Sequence, residues 1–267
     1  SQTNLLPDSE LQDAMASMSQ DQYEQEFECS FEAAIMGAFY GKEMRVLTDA
    51  GRITTVDYDP MFPCHTAWDL GYSDDTAIWW FQVVYGELRI LDYHSSNGHQ
   101  VSYYTDLIAS KEREFNYKHG HHYLPHDARA KTLASGGKSI IEQISSKIPL
   151  KSLKIVPSLS LQDGIQATRL ALMRSWFDAE KCEDGIECLR QYQREYDEDK
   201  KAFRDRPVHN WCSHPADAFR MLAIAWREEP QPSRPLQPKP LMVGPENEVT
   251  LNEMWDVHER QPRRSRI

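Results

Sequence analysis

Three consecutive segments, "TAWDLG" (66–71), "TAIWWFQVVYG" (76–86) and "ELRILDYHS" (87–95), constrain the fold of this chain more than any other feature. Each is rich in Trp, Ile, Val and Tyr, and short turns carrying Gly, Ser and Asp separate them, so they read as three strands of an antiparallel meander. The first places a carboxylate, Asp69, inside an otherwise buried pattern, and a carboxylate is costly to desolvate unless something pairs with it. Alternation puts Ala67, Asp69 and Gly71 on one face and Trp68 and Leu70 on the other. Small residues therefore flank the acid, which is expected to face a cleft.

The rest of the pattern extends the meander into an α/β sheet. "QVSYYTDLIASKEREFNYKHG" predicts a helix of roughly five turns, with Val101, Tyr104, Leu107, Ile108 and Phe115 on its apolar side. "HHYLPHDAR" reads as a fourth strand, "KSIIEQISSKI" as a helix and "LKIVPS" as a fifth strand. Beyond them, "LQDGIQATRLALMRSWFDAEKCEDGIECLRQYQREY" predicts a long and a shorter helix around a break at Asp184-Gly185. "SHPADAFRMLAIAWREE" follows as a last helix, with Ser213 as N-cap and Pro215 in the first turn. Residues 8–40 read as a helical arm, and Pro60 and Pro63 mark a boundary before the core. Five prolines crowd "PQPSRPLQPKP" after Glu229, which reads as a linker leading to a basic tail.

Composition narrows the class. With 267 residues, 40% of them hydrophobic, the chain can bury one good core. It contains neither a long apolar run nor a basic-then-apolar leader pattern, so the expected compartment is the cytoplasm, with no membrane partner. Cys29, Cys64, Cys182, Cys188 and Cys212 lack any C-x-x-C pair and read as reduced structural thiols. The net charge of −11 works against phosphate binding by the chain as a whole, yet "KKAFRDR" and "RQPRRSRI" are basic islands.

Asp69, Asp127 ("LPHDAR") and Asp217 ("SHPADAF") then form a constellation. If the first and fourth strands lie side by side and the last helix crosses that edge, the three carboxylates meet. They would repel one another unless a cation neutralised them, and oxygen-only donors suit magnesium or manganese. Taken singly, Asp69 reads equally well as a turn cap, Asp127 as a partner of a loop amide, and Asp217 as a first-turn acid favoured by the helix dipole. Of Asp74 and Asp75, one is a turn residue and Asp75 is carried as a secondary ligand. The histidines of "KHGHHYLPHD" read as packed or solvated rather than ligating. His214 lies three residues before Asp217, within reach of the site or simply at the surface. "ASGGKS" mimics a phosphate loop, but Thr132 stands where its first glycine belongs, so it reads as a turn and helix start. Its Lys138, with Arg129 and Lys131, is a candidate phosphate contact, as are Lys200, Lys201, Arg204 and Arg206, unless that run is a solvated face.

"WDLGYSDDTAIWW", "LPHDARAKTLASGGKSIIEQI" and "YQREYDEDKKAFRDRPVHNWCSHPADAFRMLA", in this order, resemble the nuclease domain of tailed-bacteriophage large terminase subunits. The resemblance spans about residues 61–228, and "QEFECSFEAAIMGAFY" is similar to the segment after the motor domain in that family. It implies a ribonuclease H-like mixed sheet, with a three-strand antiparallel meander and two parallel strands flanked by helices. Residues 1–60 would be an arm from an absent ATPase domain, 61–228 the nuclease and 229–267 a linker and tail. The implied activity is endonucleolytic cutting of double-stranded DNA during genome packaging in an infected bacterial cell. Two Mg2+ or Mn2+ ions would be held by Asp69, Asp127 and Asp217, with Asp75 as auxiliary. Implied partners are DNA, the ATPase domain of the full-length chain, the portal protein and the small terminase subunit. A junction resolvase or hybrid-cleaving ribonuclease would share the fold, while a non-catalytic docking module for portal or small subunit would leave the acids without a role.

Overall fold

The computed structural model describes residues 37–71, 74–131, 137–197 and 200–228. The arm before residue 37, the proline-rich linker and the basic tail lie outside them. A seven-stranded sheet runs in the order β1-β7-β4-β3-β2-β5-β6. Its strands are β1 (Ile53–Thr54), β2 (Cys64–Asp69), β3 (Thr76–Val84), β4 (Glu87–Ser96), β5 (His119–Leu124), β6 (Leu153–Ile155) and β7 (Ser175–Asp178). β2, β3 and β4 are the expected antiparallel meander. β5 pairs parallel with β2 and β6 parallel with β5, as the two strands foreseen after the first helix. The order β4-β3-β2-β5-β6 is that of a ribonuclease H-like sheet. β7 and β1 extend it in parallel beyond β4.

Period-2 alternation divides the core into two layers. Ala67, Ala77, Trp79, Phe81 and Phe177 are buried beneath α1 (Gly41–Asp49), α4 (Leu161–Leu172), α5 (Glu183–Gln191) and α6 (Ser213–Glu228). Trp68, Ile78, Trp80 and Leu124 are buried beneath α2 (Val101–Phe115) and α3 (Ile140–Ile144) on the opposite face. Of the apolar side foreseen for α2, Tyr104 and Ile108 are buried, while Val101, Leu107 and Phe115 pack at its margin. Phe39, Tyr40, Met44 and Leu47, from the end of the stretch read as an arm, sit in the same core as α6. Gln82, fully buried in β3, receives Asp59 N on its Oε1 and donates its Nε2 to Asp59 O and Phe62 O, which fastens the proline-flanked approach to the sheet.

Three expectations are corrected. The long helix after Leu161 stops at Leu172, and "SWFD" becomes β7, because Ser175 and Phe177 are needed as the partner of β4. Gly185 does not break a helix but lies inside α5, where a Cβ would come 2.3 Å from Trp79 Cη2. The glycine is there for the indole. A hairpin of β8 (Arg194–Asp197) and β9 (Ala202–Pro207) follows, so the stretch read as helical through Tyr196 ends as a strand instead. The turn-and-helix reading of "ASGGKS" agrees with Gly137 at φ +81° and with a capping box, in which Ser139 Oγ accepts from Glu142 N and Glu142 Oε2 accepts from Ser139 N. Cys64, Cys182, Cys188 and Cys212 are buried thiols with no disulfide among the described residues. No helix among those residues is long and apolar enough to cross a membrane.

Candidate metal centre at the carboxyl ends of β2 and β5

After β2 the chain runs outward through β3 and β4, then returns to β2's other side as β5. The crevice at the carboxyl ends of β2 and β5 is thus a topological switch point, where open α/β sheets bind ligands. Asp69 is the last residue of β2, and the parallel pairing of Ala67 with Tyr123 brings the end of β5 to the same edge. Asp127 follows in a 3-10 turn, His126–Arg129, two residues beyond the level of Asp69's partner in that register. Its side chain is exposed.

A hydrogen-bond network on the opposite layer fixes this pairing. Thr66 Oγ1 accepts from Trp68 Nε1 at 2.7 Å and meets His122 Nδ1 at 2.7 Å across the β2–β5 junction. His122 is buried, and burial, reinforced by the neighbouring His119, His65 and His121, pushes it down to about 3. Of the histidine-rich run, His122 is therefore packed and holds register, while His119 and His126 are exposed.

α6 supplies the third side. Ala216, Phe219, Leu222 and Ala223 recur at helical spacing and are buried on the layer that contains Ala67. Trp79 Nε1 donates to Pro215 O at 2.9 Å, and Phe219 meets the same indole edge-on, so β3 holds the first turn of α6 in place. His214 and Asp217, three residues apart, project from one side of the helix toward Asp69. His214 Nδ1 lies 2.8 Å from Asp69 Oδ2, and that carboxylate raises the imidazole's pKa. Asp217 Oδ1 is bound by Arg220 at 3.0 Å and by Tyr192 Oη at 3.4 Å. Burial, with Asp69's charge adding, raises the Asp217 carboxyl to about 6. Asp217 falls in the second turn of α6 rather than the first, so the dipole reading loses its basis. Ser213 is the first helical residue rather than the cap: Ala216 N bonds to Cys212 O, which starts the helix one residue earlier than expected.

Chemically, this arrangement is a pair of carboxylates with positive partners. Asp69 leans on His214 and Asp217 on Arg220, where a divalent ion would otherwise supply the balancing charge. The oxygen donors and the raised pKa of Asp217 fit Mg2+ or Mn2+. Among the described residues, Asp69, Asp127 and Asp217 do not close to within 4.8 Å of one another; the set that does is Asp74, His209 and His214. Asp75 accepts from Asn97 at 2.8 Å and from Ser95 at 3.2 Å, tying the start of β3 to the end of β4. Ala67 is fully buried, and a Cβ on Gly71 would meet Asp74 O at 2.6 Å. Ala67 and Gly71 thus make room for α6 and a tight turn rather than holding a cleft open themselves.

The candidate phosphate contacts are dispersed. Arg129, Lys131, Lys138, Lys200, Lys201 and Arg204 are exposed. Lys131 lies 3.6 Å from Glu142, and Arg204 is engaged by Asp197 at 3.0 Å and Glu195 at 3.1 Å. Arg206 pairs with Glu195. Asp74 and His209, an exposed turn residue and an exposed residue before α6, do not stand out as ligands in the sequence, where their only signal is proximity to Asp75 and His214.

No family model matches the chain, and no curated protein matches it. Solved structures do. The large terminase of a thermophilic bacteriophage, in complex with ADP, superposes with a TM-score of 0.50 at 17% identity, over 68% of this chain and 44% of that one. A second crystal form of the same phage's protein gives 0.50 at 16% identity, over 79% and 52%. The chain shares the fold of about half of those bacteriophage large terminase chains. It spans about half the length of those terminase chains. A looser likeness, TM-score 0.45 at 14% identity over 73% of this chain and 98% of the other, is to the large terminase nuclease of thermophilic phage G20c with bound magnesium.

Proposed function

We propose that this chain is a divalent-metal-dependent endonuclease of the terminase type, which cuts double-stranded DNA. The observation that carries this reading is the meeting of Asp69, at the end of β2, with His214 and Asp217 of α6, beside the parallel strand that leads to Asp127. Asp69, Asp127 and Asp217 would hold two Mg2+ or Mn2+ ions, with Asp75 as a secondary acid. Such ions, when bound, polarise the scissile phosphate, activate water and stabilise the departing 3′ oxygen. The chain's own residues orient the acids. His214 fixes the Asp69 carboxylate, while Arg220 and Tyr192 hold Asp217 and favour its ionised form against the burial that raises its pKa. Arg129, Lys131, Lys138, Lys200, Lys201 and Arg204 would contact the phosphates of the bound duplex.

On this reading residues 61–228 carry the nuclease, with α1 and β1 built into its core and sheet, the segment before residue 37 leads from an ATPase domain of a longer chain, and residues 229–267 form a linker and basic tail. The biological act is cutting concatemeric viral DNA during packaging, in the cytoplasm of an infected bacterium, with portal protein and small terminase subunit as partners. The acidic crevice makes the isolated chain a weak DNA binder that relies on other parts of the machine to hold the duplex. The test is cleavage of supercoiled plasmid in Mg2+, Mn2+ or EDTA, beside a four-way junction and an RNA–DNA hybrid. Metal-dependent nicking and linearisation of duplex is the expected result. Cutting that persists in EDTA, or is confined to junction or hybrid, would overturn the assignment.

A further inference from the structure

We propose a second metal site, distinct from the acidic ligands, formed by Asp74, His209 and His214 and suited to zinc or another borderline transition ion. One ligand atom from each lies within 4.8 Å of the others. His214 Nε2 is 4.0 Å from Asp74 Oδ2, and the His209 and His214 rings stand 5.6 Å apart and nearly perpendicular, at 82°. Each ligand comes from a different local element: Asp74 from the β2–β3 turn, His209 from the stretch before α6, and His214 from the first turn of α6.

The second observation is the placement of His214's two nitrogens. Nδ1 is 2.8 Å from Asp69 Oδ2, which leaves Nε2 on the side of Asp74 and His209. A carboxylate behind a ligating histidine is how metal sites fix tautomer and ring orientation. Two imidazoles and a carboxylate suit Zn2+, Co2+ or Ni2+, whereas Mg2+ and Ca2+ prefer oxygen alone. Around one zinc, with bonds of about 2.0–2.2 Å, ligand atoms lie roughly 3.3 Å apart. Closure from the present spacing requires about an ångström of rotation by Asp74 and His209, both exposed. An ion there would clamp the β2–β3 turn onto the entry of α6 and brace Asp69 from behind. The proposal does not depend on the nuclease reading, since binding is measured without DNA.

Calorimetric titration of the full chain with Zn2+, and the visible spectrum of its Co2+ adduct, test it. Wild type is expected to bind one Zn2+ and to show Co2+ bands of nitrogen coordination. His209→Ala is expected to weaken Zn2+ at least about tenfold and abolish those bands, Asp74→Asn to weaken it similarly, and Asp127→Asn to leave it unchanged. Circular dichroism establishes that the variants at these exposed positions remain folded. Equal Zn2+ affinity in wild type and His209→Ala, or its loss in Asp127→Asn, would overturn the site.

Discussion

The Thr66–His122 junction makes acid stability a test of how β2 is held against β5. Trp68 Nε1 occupies one lone pair of the Thr66 hydroxyl, whose remaining hydrogen-bonding capacity meets His122 Nδ1. His122 Nε2 is buried without a partner. A second proton on the ring would destroy the arrangement, in keeping with a folded-state value of about 3. An unfolded histidine titrates near pH 6.5. Above that value the ring is neutral in both states and the stabilisation is fully present. As pH falls below it, the unfolded chain takes up a proton that the folded chain refuses, so stability is lost progressively toward pH 3. At about 1.4 kcal/mol per pH unit, the loss between pH 6.5 and 5 is about 2 kcal/mol, a large share of an ordinary domain's stability. Urea unfolding of wild type and His122→Asn at pH 8, 6.5 and 5 measures it. The substituted asparagine would retain an acceptor for Thr66 without titrating, so its constant cavity cost cancels when the change with pH is compared. Wild type should lose about 2 kcal/mol more than the variant over that interval. Parallel curves for the two proteins would refute the buried-neutral assignment.

Two further substitutions probe the scaffold. Gly185→Ala drives a methyl into Trp79, whose indole also holds Pro215, and should destabilise the fold by about 1–3 kcal/mol in urea unfolding. Cleavage should fall further than that loss of stability explains, because the first turn of α6 shifts. Ser139→Ala removes the capping box of α3 and should cost about 1 kcal/mol, with plasmid cleavage per folded molecule unchanged.

Where a pattern repeats along the chain, the fold can be read from it. The meander declares itself because Ala77, Trp79 and Phe81 alternate with Ile78 and Trp80 over a nine-residue strand. β7 does not: its four residues follow a helix closely, with no glycine or proline between, and it is the parallel pairing with β4 and β1 that makes them a strand. Gly185 looks like a helix breaker until Trp79 is seen against it. The acids show the same limit. Asp69 stands out as a charge at the end of a buried run, while its bond to His214 spans 145 residues. The approach of Asp74 to His209 is purely tertiary, between two exposed residues with no periodic neighbours to mark them.

Asp127 is the residue on which the central claim can be tested most directly, since strand register brings it to the crevice edge while its carboxylate stays exposed. Single-turnover cleavage of plasmid in Mn2+ by wild type and Asp127→Asn decides whether it belongs to the catalytic set. Loss of a metal ligand should lower the rate by about a hundredfold or more while thermal unfolding without metal stays unchanged. Cleavage at the wild-type rate by the folded variant would contradict the account.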